Sequence, residues 1–454
     1  MTHTNKLIPS AVYLVLDTLL QITMRVTLGT RLCLVQALFT LMSGQLLESR
    51  GALIPALFNL GFDRRETQRI RQAIHRGAWS TNQLLKHFYG LVVHQQHWQP
   101  LQIAGYTVNA LDTTAIFRPK LQGCQTQHYH PMAGRCLPST NFALLGSIGA
   151  IGDQKVTLLR CIARGDEQAS TEEALMRRIA VQAARLLGDD QNSITVADRK
   201  FNALELLECG HQNLVLRRAR NMTFRRAAFT ANTGRGRPVK HGEIIRPLER
   251  VFKGKSLLAS QADREISWVD LDKDGQELVL HAKYWVELVF FEQKSWNPER
   301  LALNKRSLWT VMTVKHPSFE LPMLIVINVP EFTPVEACRV VKARWGIEQA
   351  PLVSKQLLGA HRLFVHNAEM CHRVPELVFV AGAILTYLAG VIGAIPTGWW
   401  DTKPRASAGR LRRVLAGVRD YHLLDGVVQL RFKRSVTGHL PVGQAARRAR
   451  TPLS

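Results

Sequence analysis

The feature that most constrains the fold is a series of short apolar runs between residues 103 and 216, two of which end in aspartate. Tyr106-Thr-Val-Asn-Ala-Leu leads into Asp112, and Ser193-Ile-Thr-Val-Ala leads into Asp198. Such runs favour extended backbone, because their branched and aromatic side chains fit a pleated, half-buried surface. Between them lie strand-like runs at 141–150 and 155–162 and a helix over 172–187, with Ser170 or Thr171 as its cap and Gly188 as its stop. A further helix (202–207) and strand (213–216) close the series.

Three strands, a helix, a strand, a helix and a strand make the element order of a ribonuclease H-like core, so the expected fold class is α/β. In that order the first and fourth strands are neighbours, and Asp112 and Asp198 would meet. Taken singly, each Asp also fits a turn former or a helix cap.

The flanking segments differ in texture. Residues 8–95 carry apolar residues at three- and four-residue spacing (Leu32, Val35, Leu38, Phe39, Met42) and read as an all-helical N-terminal unit. After the break at Gly61, a short helix collects Arg64, Arg65, Arg69, Arg71 and Arg76. These residues would contact phosphates, or form a solvated helix face. Residues 217–255 hold 12 Lys or Arg against two Glu, including the loop Thr233-Gly-Arg-Gly-Arg-Pro. Alternating runs at 245–252 and 277–291 then suggest a β-rich insertion. Strands return at 308–314 and 322–329, and a long helix is expected from about Pro334 to Leu358, opened by Thr333 and stopped by Gly359, with Pro351 kinking it. The expected units are therefore 1–95, 96–220, 221–304, 305–395 and a basic C-terminal region 396–454.

Net charge narrows the partners. Lys and Arg number 59 against 35 Asp and Glu, a surplus of +24, which favours a polyanion, with DNA or RNA first. The uncharged run 377–395 is long enough to span a bilayer, but a buried helix packed on a sheet is the preferred reading, with no membrane partner. Seven scattered Cys without a CxxC pair suit a reducing, cytoplasmic setting. Two loose groups, Cys124/His128/His130/Cys136 and His361/His366/Cys371/His372, approach zinc-like spacing without matching a standard finger.

Carboxylates are the hard oxygen ligands that Mg²⁺ or Mn²⁺ takes in phosphodiester chemistry. The third candidate is Glu348, in Val340-Val-Lys-Ala-Arg-Trp-Gly-Ile-Glu. Val341, Arg344, Glu348 and Lys355 stand at helical spacings and share a face. Arg344 and Lys355 would present cations to phosphates flanking a scissile bond. The plain alternative is an i, i+4 salt bridge between Arg344 and Glu348.

These motifs resemble the DDE transposases of bacterial insertion sequences, in the group with a Tyr-x2-Arg-x3-Glu-x6-Lys motif. Arg344, Glu348 and Lys355 match that motif, Asp198-Arg-Lys-Phe resembles its Asp-Arg-x-Phe, and Ala110-Leu-Asp-Thr-Thr resembles its first Asp motif. The motif Tyr is Val341 here, which removes a hydroxyl that could contact a phosphate. The resemblance covers residues 100–395. It implies that Asp112, Asp198 and Glu348 hold two Mg²⁺ or Mn²⁺ ions, and that Arg344, Lys355 and Arg199 contact DNA; Arg64, Arg65 and Arg69, outside the resemblance, are candidates for DNA contact from their Arg-rich helix alone. It also implies that Trp309 stacks on a flipped base, although a core Trp in a strand is the slightly preferred reading of that position. The implied partners are double-stranded DNA, as terminal inverted repeats and target, and a second copy of the chain on that DNA. The implied setting is the bacterial nucleoid. A nuclease on the same fold and a DNA-binding protein without catalysis remain alternatives.

Overall fold

The computed structural model describes residues 4–397 apart from 119, 122, 123, 125, 189, 228–241, 272–274 and 318, together with 400–419 and 431–432. The basic loop at 233–238 and most of the C-terminal region lie outside the described residues.

The chain opens with helices α1 (Thr4–Ile22), α2 (Leu28–Met42), α3 (Gln45–Glu48), α4 (Leu53–Phe58), α5 (Arg64–Arg76) and α6 (Thr81–Gln95). Helix α5 begins at a reciprocal cap. The Asp63 carboxylate accepts the Glu66 backbone N–H at 2.7 Å, and the Glu66 carboxylate accepts that of Asp63 at 2.9 Å. Thr67, Ile70, Ala73 and Ile74 turn inward from this helix, while Arg64, Arg65, Arg69, Arg71 and Arg76 are exposed.

A large mixed sheet follows. Its first strands are β1 (Tyr106–Phe117), β2 (Arg135–Ile151) and β3 (Gln154–Arg164), joined as antiparallel neighbours. After helix α7 (Glu172–Leu187), strand β4 (Ser193–Ala197) lies parallel to β1. After helix α8 (Ala203–Glu208), strand β5 (Asn213–Arg218) lies parallel to β4. The spatial order is therefore β3-β2-β1-β4-β5, with the two Asp-bearing strands adjacent. The register pairs Leu111 with Ala197, so Asp112 and Asp198 are the next residues on each strand.

The expected insertion does not form a separate layer. Its strands β6 (Phe224–Arg226), β7 (Arg264–Leu271) and β8 (Glu277–Phe290) continue the same sheet. Helix α9 (Pro298–Arg306) follows, and β8 then pairs with β9 (Trp309–Lys315), β9 with β10 (Met323–Ile327), and β10 with β5. Strand β8 is long enough to serve β9 along one edge and both β7 and β6 along the other. Nor is the N-terminal unit separate. Its apolar residues share one continuous core with the sheet and with helix α12, described below.

Alternation along the strands splits the sheet into two faces. On one face Val108, Ala110, Ile194 and Val196 join that shared core. On the other, Leu111, Ala197, Leu214 and Leu216 pack with α7 and α8. Helix α10 (Pro334–Arg344) packs across β1, β4 and β5 on the first face. It starts at a capping box formed by Thr333 and Glu336, with Pro334 in its first turn.

The long helix expected to Leu358 is not regular. Helical winding tightens to a 3-10 turn at Trp345–Glu348, returns to a short α-turn, α11 (Gln349–Leu352), and widens to a π-turn at Val353–Leu357. Two causes act here. Pro351 has no N–H to give the carbonyl one turn back, and Gly346 and Ile347 press onto the sheet. A Cβ on Gly146 of β2 would lie 2.4 Å from Ile347 Cδ1 and 2.7 Å from Thr157 Cγ2, so any larger residue there would make these side chains shift.

The apolar run at 377–395 belongs to helix α12 (Ala368–Ile392), which is buried between the sheet and helices α2, α5 and α6. Helix α13 (Ala408–Ala416) covers part of it. Glu376, one of its few charges, is buried and tied to Arg164 at 2.8 Å and to the Thr81 hydroxyl at 2.8 Å. Arg373 donates to the carbonyls of Ile74, His75, Gly77 and Trp79, which fixes the end of α5 to the core.

Candidate active site

Residue parity decides where the carboxylates point. Asp112 shares a strand face with Ala110 and Val108, and Asp198 follows Val196 and Ile194. Both therefore project toward the face that α10 covers: Asp198 lies just past the end of β4, whereas Asp112, expected to close its strand, stands in the middle of β1, which runs on to Phe117. The turn after α10 brings Glu348 over the same face, because Ile347 anchors it on β2.

The carboxylates sense one another. Burial pushes the Asp112 carboxyl up to about 6, and the charges of Glu348 and Asp198 add to the rise. Arg344 and the Thr113 backbone N–H, which donates to Asp112 Oδ1 at 2.9 Å, oppose it. Asp198 Oδ1 is buried without a hydrogen-bond partner among the described residues. Burial pulls the Lys355 ammonium down to about 8, opposed by the charge of Asp112. Lys355 thus stands close enough to the site to feel Asp112.

The donor set suits a divalent cation in part. Asp112 and Asp198 offer desolvated oxygens, one of them unsatisfied, and a cation would relieve both conditions. Glu348 is engaged elsewhere. Its Oε1 accepts from Arg344 Nη2 at 2.9 Å, so the i, i+4 salt bridge is the arrangement present. Among the described residues no group of three or more His, Cys, Asp or Glu side chains is assembled to hold an ion.

The remaining sequence candidates fall into distinct places. Arg199 is exposed beside Asp198. Arg64, Arg65 and Arg69 lie on the outer side of α5. The stacking role expected of Trp309 is corrected: the residue is 1 % exposed and its ring lies 5.1 Å from that of Phe290. Its strand parity turns it into the core shared with α7 and α8, where no base can reach it. Val341 is also buried, so the position of the motif Tyr faces the core here. In the two His/Cys groups, Cys124 contacts the Ser139 carbonyl, His130 packs edge-on against Phe117, and His372 bonds the Gly165 carbonyl at 2.9 Å.

Sequence reasoning missed two neighbours of the site, Lys200 and Glu172, and placed a third, His128, only in a loose zinc-like group. Lys200 pairs with Glu172 at 2.5 Å, and Glu172 also accepts from the Thr113 hydroxyl at 3.5 Å. Glu172 therefore ties together the segments that follow Asp112 and Asp198. His128, on the short strand Gln127–His130, is held below its ordinary value by burial and then by Lys200, with Lys355 adding. No spacing rule links these three, which lie far apart in the chain. Gly146 did carry a signal, as a glycine inside an apolar strand.

No protein-family model matches this chain, and no curated protein matches it.

Proposed function

We propose that this chain cuts and joins DNA as a transposase of the DDE type, on a ribonuclease H-like core formed by β1 to β5 with α7 and α8. One observation carries the reading: Asp112, midway along β1, and Asp198, just past the end of the adjacent parallel strand β4, lie side by side on the face over which Glu348 is delivered. The strand order β3-β2-β1-β4-β5 supports it, as does the +24 surplus of charge.

On this reading Asp112 and Asp198 hold two Mg²⁺ or Mn²⁺ ions, with Glu348 completing the set. The chemistry such ions supply when bound is activation of the attacking oxygen and stabilisation of the leaving one. Lys355 and Arg344 hold phosphates beside the scissile bond. Helix α5 presents Arg64, Arg65 and Arg69 to the DNA backbone, and Arg199 lies at the mouth of the site. The substrates are inverted-repeat ends and target DNA, handled by two copies of the chain, and the setting is the bacterial nucleoid.

The Arg344–Glu348 pair favours a second reading, a DNA-binding protein that has lost catalysis. The test is metal-dependent cleavage and strand transfer on DNA carrying the sequences that flank the gene. Glu348→Gln is expected to abolish both and to leave DNA affinity nearly unchanged. If Glu348→Gln cuts as well as the parent, the proposal fails. Cleavage without strand transfer favours a nuclease, and binding without cleavage by the parent favours the second reading.

A further inference from the structure

We propose that the hairpin of residues 127–138 is a wedge for duplex DNA: its apex, Pro131 and Met132, enters the minor groove within one helical turn of the carboxylates and kinks the duplex there. The proposal rests on the proposed function and adds a surface by which the same site holds its DNA.

The hairpin is held firmly at both ends. Its short strand Gln127–His130 pairs with Arg135–Pro138, the start of β2. At the root, the Cys124 thiol and the Thr126 hydroxyl donate to the Ser139 carbonyl, and Asn141 Nδ2 donates to the Gln127 carbonyl at 3.0 Å. At the apex, Pro131–Ala133 form a 3-10 turn. His130 Nδ1 accepts the Ala133 N–H at 3.2 Å, and Gly134 leaves the turn at φ 63°, a conformation that favours glycine. A turn fixed in this way presents its side chains with little ordering left to be lost on binding.

The apex is apolar and stands among cations. Met132 is 95 % exposed, more than any other large apolar side chain among the described residues. A lone exposed apolar residue is ordinary on a surface, but this one tips a braced arm. From Thr113 to Gly152 the chain has no Asp or Glu, while Lys120 and Arg135 are exposed. Such cations suit phosphates, and Met and Pro are among the side chains that part a base step from the minor groove. A second copy of this chain, itself carrying +24, would meet the arm with like charge. The reach also fits. Asp112 pairs with Leu144, and Arg135, at the foot of the apex, lies nine residues before Leu144 on β2. At about 3.3 Å per residue that is at most roughly 30 Å, within one turn of duplex at about 34 Å. The charge of Lys355 meets both His128 and Asp112, so the root of the hairpin stands beside the carboxylates.

The experiment uses the full chain, with EDTA to prevent cutting, and duplexes carrying the sequences that flank the gene. The fluorescent base 2-aminopurine, which brightens when a base step opens, is placed at successive positions across one helical turn. The parent should bind and brighten the probe at one step. Met132→Ala should reduce that brightening at least about fivefold, and Met132→Leu, which keeps a wedge, should retain it. Both variants should melt with the parent, because the side chain is exposed. Arg135→Ala should lower the slope of log affinity against log salt by about 1. If the parent binds and no step brightens, or the brightening survives Met132→Ala, the wedge is overturned while DNA binding stands. If Met132→Ala changes the oligomeric state and not the brightening, the apex meets a second copy and the wedge is likewise overturned. If the parent binds no duplex, with EDTA or with Mg²⁺, the proposed function fails and the wedge with it.

Discussion

Asp112→Asn should stabilise this protein at neutral pH while removing its metal response. The ordinary carboxyl value is 3.8 and that of folded Asp112 about 6, so the folded chain holds the proton more tightly by about two units. At 1.36 kcal/mol per unit, the ionised carboxylate destabilises the fold by about 3 kcal/mol. The sign follows from linkage: a carboxyl raised by folding imposes no penalty below pH 3.8, and the full penalty once pH exceeds about 6. Part of the rise comes from Glu348 and Asp198, and Asp112 keeps some contact with solvent, so the realised gain is about 2 kcal/mol. Asparagine keeps the shape and the acceptor for the Thr113 N–H. Urea denaturation at pH 8 and pH 4 measures the difference directly. The variant should be the more stable at pH 8 and equal to the parent at pH 4. Added Mn²⁺ should stabilise the parent and leave the variant unmoved. A variant less stable than the parent at pH 8, or a gap independent of pH, would refute the argument that burial loads this carboxylate.

Further outcomes test other parts of the structure. Trp309→Ala removes a fully buried ring from the core against Phe290 and should lower stability by about 3–5 kcal/mol in urea denaturation; a loss of DNA affinity with stability intact would restore a stacking role. Replacing Arg64, Arg65 and Arg69 together by Ala should leave the melting temperature nearly unchanged, since all three are exposed on α5, and should lower the slope of log affinity for duplex DNA against log salt by about 2–3. An unchanged slope would make that face merely solvated. Glu376→Gln leaves Arg164, 28 % exposed, with Glu369 as its remaining carboxylate and should destabilise by about 1–3 kcal/mol; a neutral result would show that Glu369 and water satisfy Arg164.

The sequence alone determined the local elements and their order. Alternation named the strands that carry Asp112 and Asp198, and parity put both side chains on one face once those strands paired. It also fixed the start of α10, because Thr333, Pro334 and Glu336 act within one turn. Those interactions are local, so spacing reveals them. Tertiary structure decided the rest. The winding after α10 is set where Ile347 packs against Gly146, about two hundred residues upstream, a contact that spacing does not reveal. Whether Trp309 met solvent or core depended on β8 pairing beside it, through the Trp285–Val311 register and the ring of Phe290. Whether residues 4–95 stood apart depended on α12, which those helices and the sheet bury between them. Arg344 and Glu348 had the spacing for two fates, a shared salt bridge or separate ligands. Their spacing could not choose, since burial of the guanidinium and the tightened turn after Arg344 are products of packing on the sheet.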